Sequence, residues 1–316
     1  IVTVHDLIPM MQWKGLIQGM GSGNKPIGSI YSLNRLENAK RIIAISKNTK
    51  KDLVKLLGLN PNKIEVIYYG IGQEFQVNKT ETKEDLRNRL GLPDKDTKLI
   101  LITGQELYKN HKTCLQAMKI IEKTYDNPVR MVRLGKDYPE WTNFEKENNL
   151  RNKVLQINKL NLSNIADLYN SVDILFFPSF YEGFGRPPLE AMACGLPVVC
   201  SNSASLPEVV GKAALMHDAE DALGFAQQIL RVFNNKDIHD SLVQKGLKNI
   251  KRFSWSDNIE KTITLYNKIL NKRGFKTKKI VFFHRKMPFY GSIEQHFSEV
   301  RNFLSPDYNL KVSQSR

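Results

Sequence analysis

Short apolar runs alternate with helical patterns along almost the whole chain, and this alternation constrains the fold most strongly. The runs cover residues 41–45, 64–68, 98–103, 129–134, 154–157, 173–177 and 197–201. Most are bounded by polar or turn residues, as strands are when both faces of a parallel sheet are covered. Helical patterns fall between them at 47–57, 111–124, 164–171, 188–194 and 221–233, with a further one at 256–270. Strands alternating with helices predict an α/β fold with crossover helices.

A length of 316 residues suits about two domains. A polar, charged stretch at 76–96 carries one helical pattern and the breaker Gly91-Leu92-Pro93. A linker is expected near 73–83, giving a first domain at 1–78 and a second at 79–274. The first is short for a complete doubly wound domain. The chain opens on Ile1-Val2-Thr3-Val4, a strand already under way without an initiator Met, so a fragment is expected. At 275–316, Ile280-Val281-Phe282-Phe283-His284 begins a new strand. A turn around Gly291 and a helical pattern at 294–303 follow, which is how a doubly wound domain starts. The expectation is the start of a second module in a longer tandem protein.

No apolar run reaches the roughly 18 residues that a membrane span requires. The N-terminus has no basic segment of the signal-peptide kind. Cys114, Cys194 and Cys200 are an odd number without Cys-x-x-Cys spacing, which argues against a disulfide framework and a zinc site. A reducing cytoplasm is the simplest setting. The net charge of +15 attracts polyanions: nucleic acid, anionic lipid or phosphorylated small molecules. The basic residues are spread over many helices without interleaved aromatics, so nucleic acid is not an expected partner.

The chemistry concentrates between Phe176 and Pro207. A strand ends at Phe177-Pro178-Ser179, the loop Phe180-Tyr181-Glu182-Gly183-Phe184-Gly185 follows, and a short helix begins near Pro187. Proline at the helix start, Gly195 after its end and Pro197 beyond are consistent punctuation. In a parallel sheet such a loop lies at the carboxyl end of a strand, where ligands bind. Its glycines let backbone approach a ligand, and the helix start offers N–H groups to a phosphate. Glu182 and Glu190 flank that phosphate site with carboxylates that accept hydrogen bonds from sugar or ribose diols. A phosphate cradle with flanking diol acceptors fits a nucleotide-sugar.

The run Glu182-Gly183-Phe184-Gly185-Arg186-Pro187-Pro188-Leu189-Glu190-Ala191-Met192-Ala193-Cys194-Gly195, continued by Pro197-Val198-Val199 and Ser203-Ala204-Ser205-Leu206-Pro207-Glu208-Val209, resembles the signature of the retaining glycosyltransferases of family 4. The resemblance extends from about His5 to about Leu270. It implies the GT-B fold, two Rossmann-like domains facing a cleft, here with the N-terminal domain truncated. It also implies transfer from a nucleoside-diphosphate sugar such as a UDP- or GDP-sugar to a glycan or lipid-linked acceptor. No cofactor and no metal is implied. Many such enzymes act at the cytoplasmic face of a membrane, so an anionic membrane surface joins the expected partners.

The same resemblance implies residue roles. The catalytic positions are His5, at a strand end in Thr3-Val4-His5-Asp6 beside donor sugar and phosphate, and Glu182, on the sugar hydroxyls. Glu190 would bind the ribose hydroxyls, and the N–H groups of Gly183, Phe184 and Gly185 would face diphosphate and sugar. The loop Gly104-Gln105-Glu106-Leu107-Tyr108-Lys109-Asn110-His111 resembles the family's diphosphate loop, with Lys109 as its lysine. Gln105 stands where the family often has arginine, and His111 or Lys112 are the candidates to replace that second basic contact. Gly135, at another strand end, resembles the position near the nucleotide base. Ser46 suits a helix N-cap. A nucleotide-sugar epimerase or a phosphorylase of the same fold is the competing enzyme class. A basic, non-catalytic module that binds nucleic acid or lipid is the non-enzyme alternative.

Overall fold

The structure, a computed structural model, describes residues 1–17, 19–20, 22–26, 33–136, 139–147, 150, 153–158, 160–271, 281–285 and 311–315. Strands β1 (Val2–Val4), β2 (Ile42–Ala44) and β3 (Ile64–Val66) form a parallel sheet in the order β1-β2-β3. Helix α1 (Ile8–Trp13) follows β1, and α2 (Lys47–Leu57) connects β2 to β3. Ser46 caps α2 as expected, its hydroxyl accepting from Thr49 N at 2.9 Å. Val4, Ile42, Ala44, Leu53 and Ile64 form the core of this unit.

After α3 (Lys83–Leu90), a second sheet is built from β4 (Lys98–Thr103), β5 (Val129–Leu134), β6 (Val154–Ile157), β7 (Ile174–Phe177), β8 (Val198–Ser201) and β9 (Leu215–His217). All its pairings are parallel, in the order β6-β5-β4-β7-β8-β9. Its helices are α4 (His111–Thr124), α5 (Pro139–Glu147), α6 (Leu162–Ser171), α7 (Arg186–Ala193), α8 (Leu206–Val210), α9 (Ala222–Asn234) and α10 (Lys236–Asn249). Alternate strand residues face opposite layers. Ile100, Ile102, Met131, Ile174 and Phe176 pack with Leu115, Met118 and Ile121 of α4 and Phe225 and Ile229 of α9. Leu99, Leu101, Val132, Leu175 and Phe177 pack with Leu168 of α6 and Leu189 and Met192 of α7. Full burial of each such side chain contributes about 1.5–3 kcal/mol, which explains why β7 and the centre of β4 read as unbroken apolar runs.

Helix α11 (Trp255–Asn271) leaves the second unit and returns to the first sheet. Leu265 joins Ile43 and Ile67 in one apolar cluster, Asn258 Nδ2 donates to Tyr68 O at 2.6 Å, and Trp255 lies 5.6 Å from the Tyr69 ring. Farther on, β10 (Val281–Arg285) and β11 (Lys311–Ser315) pair in parallel. The expected tail strand is thus present one residue later, whereas the turn at Gly291 and the helix at 294–303 fall outside the described residues. All three cysteines are buried free thiols. Among the described residues no helix is long and apolar enough to cross a membrane.

Candidate active site

The order of the second sheet locates the site. The chain builds β4, β5 and β6 outward on one side, then crosses back through α6 to place β7 on the other side of β4. Helix connections therefore diverge between β4 and β7, and a crevice opens beyond their carboxyl ends. The two loops there are 104–110 and 178–185, the two singled out in the sequence. Asn110 joins them: with φ at 58°, it donates from Nδ2 to Pro178 O at 3.1 Å and to Ala219 O at 2.5 Å. Phe180 N donates to Tyr108 O at 2.8 Å.

Lys109 and Glu182 meet in this crevice, with Nζ 2.8 Å from Oε1 and side chains only 11% and 9% exposed. The ammonium also lies 4.8 Å from the Phe177 ring centroid and 5.2 Å from that of Tyr108, so aromatic faces reinforce its placement. Gly104 makes that placement sterically accessible. Its φ is +98°, and a Cβ there would lie 2.8 Å from Lys109 Cγ. The lysine stem crosses the space that a side chain would fill. Gly135 stands behind Gly104, where a Cβ would lie 2.5 Å from Gly104 O.

The first sheet supplies the facing wall. His5 and Asp6 directly follow β1 and press against Gly183; a Cβ on Gly183 would lie 2.4 Å from His5 O and 2.8 Å from Asp6 Cβ. Thr49 Oγ1 donates to Gly183 O at 3.3 Å, and Ser205 Oγ to Glu182 O at 2.9 Å. His5 Nδ1 is hydrogen-bonded to the Tyr69 hydroxyl, and their rings stack at 5.9 Å. Burial pushes the His5 imidazole down to about 4, so it is neutral at pH 7. Tyr181 donates to Asp52 of α2, and Asn48 Nδ2 donates to both, at 3.0 Å and 2.8 Å.

The sequence-derived residues therefore divide. Lys109, Glu182, Gly104, Gly135, Gly183 and His5 converge around the crevice. The Phe184 side chain faces away, buried among Tyr68, Tyr69 and Phe253 at 5.6–5.9 Å between ring centroids. Glu190 is held in the second turn of α7, accepting from Tyr169 OH at 3.1 Å and pairing with Arg186 Nη2 at 3.1 Å. Helix α7 begins at Arg186, not Pro187, with Gly185 as N-cap at φ +91°. Pro187 and Pro188 follow, so two of the helix's four leading N–H groups do not exist. Gly185 and Arg186 keep theirs, and the loop carries more of any anion binding than the helix start.

His111 does not fill the place left by Gln105. It is buried edge-on against Trp141 at 5.5 Å. Burial and then the nearby Arg133 push its imidazole down to about 3, leaving it neutral. Lys112 is exposed at the start of α4. The unfolded His111 takes up a proton near pH 6.5, above its folded value, so its contribution to stability is complete above about pH 6.5. It is lost as pH falls from there toward about 3. Histidine NMR titration is expected to show no His111 protonation above pH 5; an apparent pKa above 6 contradicts the burial argument.

Glu208, quoted in the motif without a role, spans the two units. Its carboxylate accepts from Lys47 N at 3.0 Å, Asn48 N at 2.9 Å and Tyr68 OH at 3.0 Å. An acid of α8 thus occupies the positive end of α2, where such a charge contributes up to about 2 kcal/mol. Glu208→Ala is expected to lower stability by about 2 kcal/mol in urea denaturation. An unchanged midpoint would show that the contact contributes nothing in solution.

Comparison with known proteins agrees with this architecture. The family profile for glycosyl transferases group 1 matches residues 82–249. That is more than half of the chain, and the chain belongs to this family. A profile described as Glycosyltransferase Family 4 matches residues 1–75. The chain is 26% identical over 277 residues to the serotype-specific mannosyltransferase WbdA of Escherichia coli, covering 85% of this chain but 33% of that protein. It is 27% identical over 236 residues to the O-antigen chain mannosyltransferase B of Escherichia coli, covering 73% of this chain and 61% of that one. Among solved structures it is similar to sucrose-phosphate synthase from Thermosynechococcus elongatus (TM-score 0.73, 20% identity, 86% of this chain and 68% of that one). It is also similar to HepE from Anabaena in complex with UDP-glucose (TM-score 0.70, 17% identity, 84% and 72%). These structures share the GT-B fold, and the first-matching curated relative is about three times as long as the matched region.

Proposed function

We propose that the chain transfers a hexosyl group from a nucleoside-diphosphate sugar to a glycan or lipid-linked acceptor, as a family 4 glycosyltransferase acting with retention and without a metal. The observation that carries this reading is the Lys109–Glu182 pair, set at the switch point of a parallel sheet and faced by His5 from the other sheet. A cation there suits a departing diphosphate, because negative charge develops on it as the sugar leaves. A neutral His5 suits a hydrogen bond to sugar or phosphate oxygen. Glu190 would serve the ribose and Gly135 the base. The mannosyltransferase relatives favour a mannosyl or similar hexosyl donor and cell-envelope polysaccharide synthesis. The net charge of +15 favours work beside an anionic membrane at its cytoplasmic face.

A thermal-shift panel of UDP-, GDP- and ADP-sugars tests the donor. At a hundredfold excess over Kd, the matching donor stabilises the native state by about 2.7 kcal/mol. No shift with any nucleotide-sugar would contradict the reading. Sugar-product formation that needs no acceptor would point to an epimerase.

A further inference from the structure

We propose that Tyr169 is a positioning residue of the donor site: its hydroxyl turns the Glu190 carboxylate so that both oxygens meet the two ribose hydroxyls of the nucleotide. This inference rests on the glycosyltransferase reading above and deepens its donor end.

Three observations carry it. First, the two oxygens of Glu190 are held by two different side chains. Arg186 Nη2 lies 3.1 Å from Oε1, and the Tyr169 hydroxyl donates to Oε2 at 3.1 Å. One contact on each oxygen fixes the plane of the group. Among the described residues no third residue donates to either oxygen. A carboxylate oxygen accepts about two hydrogen bonds, so acceptor capacity stays open on both. The two open sites lie side by side, as vicinal hydroxyls do.

Second, Tyr169 is the more rigid of the two donors. The Arg186 side chain is 20% exposed, whereas Tyr169 is 2% exposed. The Tyr169 ring packs edge-on against Phe75 at 6.0 Å, within the apolar layer that joins α6 to α7. The next residue fastens this end of α6: Asn170 Nδ2 donates to Gln76 O at 3.0 Å, and its Oδ1 accepts from Asn78 N at 2.8 Å. Helix α6 is the crossover that sets β7 beside β4, so the element that opens the crevice also aims this hydroxyl.

Third, the ring's surroundings are apolar and suit a phenylalanine, yet the residue carries a hydroxyl whose partner is Glu190. Burial, and then the Glu190 charge, push the phenol well above its ordinary range, so it stays a neutral donor. A neutral donor orients the carboxylate without cancelling its charge. Hydrogen bonds from ribose to an ionised acceptor are the stronger kind.

Tyr169→Phe removes one oxygen and keeps the ring. Binding of UDP, GDP and ADP, each beside its 2′,3′-dideoxy form, is measured by calorimetry. Wild type is expected to prefer the ribose form of its nucleotide by about 10-fold or more. In Tyr169→Phe the ribose form is expected to weaken about 5–10-fold and the dideoxy form by less than about twofold, so the preference nearly vanishes. In a Glu190→Gln background, Tyr169→Phe is expected to change ribonucleotide Kd by less than about twofold, because the carboxylate it acts through is gone.

An unchanged ribose preference in Tyr169→Phe overturns the proposal and leaves Glu190 standing. Equal weakening of both forms makes Tyr169 scaffold and overturns it too, as does an equal effect with and without the Glu190 carboxylate. A wild type that binds both forms alike removes Glu190 from the ribose and the proposal with it. Absence of nucleotide binding in the wild type overturns the glycosyltransferase reading as well.

Discussion

Lys109→Met is expected to reduce sugar transfer by about 10²–10³-fold, the usual effect of removing one group aimed at charge that develops in a transition state. The substitution preserves the stem that crosses Gly104 and removes only the ammonium. It also strands Glu182, whose side chain is 9% exposed. Breaking one half of a buried pair costs about 3–5 kcal/mol when nothing else can take the charge. Glu182→Gln is milder, because Lys109 still faces Asp6. The double variant Lys109→Met/Glu182→Gln separates the two effects. Its stability is expected to recover toward wild type in chemical denaturation, whereas transfer stays low. Recovery of both would make the pair purely structural. Neither single variant altering transfer would remove Lys109 and Glu182 from the site.

The second large effect lies at the other end of the same sheet. The Arg87 guanidinium is 1% exposed and has four acceptors: Asp173 Oδ2 at 2.7 Å, Ser171 O at 2.8 Å, Thr97 O at 3.0 Å and Asp94 O. Asp173 also takes Lys83 Nζ at 2.7 Å and Leu99 N at 2.7 Å. This network fastens α3 to the amino ends of β4 and β7, far from the crevice. Asp173→Ala leaves the buried Arg87 charge uncompensated and is expected to cost about 3–5 kcal/mol. Lys83→Ala removes a half-exposed partner and is expected to cost under about 1 kcal/mol. Burial pushes the Asp173 carboxyl up, but Lys83, the Leu99 N–H and Arg87 outweigh it, and the group ends below the usual carboxylate range. Its stabilisation is therefore present above the ordinary aspartate value near 3.9 and is lost as pH falls through the lower folded value. Urea denaturation of Asp173→Ala checks the magnitude. At temperatures where the variant stays folded, its turnover is expected to match wild type. An equal loss for Lys83→Ala and Asp173→Ala would contradict the assignment.

Much of the second sheet was legible because its strands are covered on both faces. The strands at 98–103, 129–134 and 154–157 coincide to the residue with the short, largely apolar runs of the sequence. Helix α10 carries no comparable apolar pattern, because Leu242 and Gly246 are its only buried residues among a largely polar and charged set. Strand β9 has three residues, all half-buried, at the sheet edge. The loops at 104–110 and 178–185 were legible through glycines and flanking carboxylates. What joins them was not, since it depends on contacts between distant parts of the chain. Asn110 meets Ala219, Glu208 meets the start of α2 and Tyr181 meets Asp52 across 109 to 160 positions. His111 looked available as a cation because no local pattern announces Trp141 beside it. The two prolines of α7 were visible, but their consequence required knowing that the helix starts at Arg186.

The central claim is that the crevice beyond β4 and β7 holds a nucleoside diphosphate between Lys109 and the 183–185 backbone. A crystal structure of the protein with the nucleoside diphosphate from its best-stabilising donor tests this most directly. The diphosphate is expected within hydrogen-bond distance of Lys109 Nζ and the N–H groups of that loop, with a ribose hydroxyl on Glu190. A nucleotide bound elsewhere, or one leaving the Lys109–Glu182 contact untouched and the loop N–H groups unengaged, would contradict it.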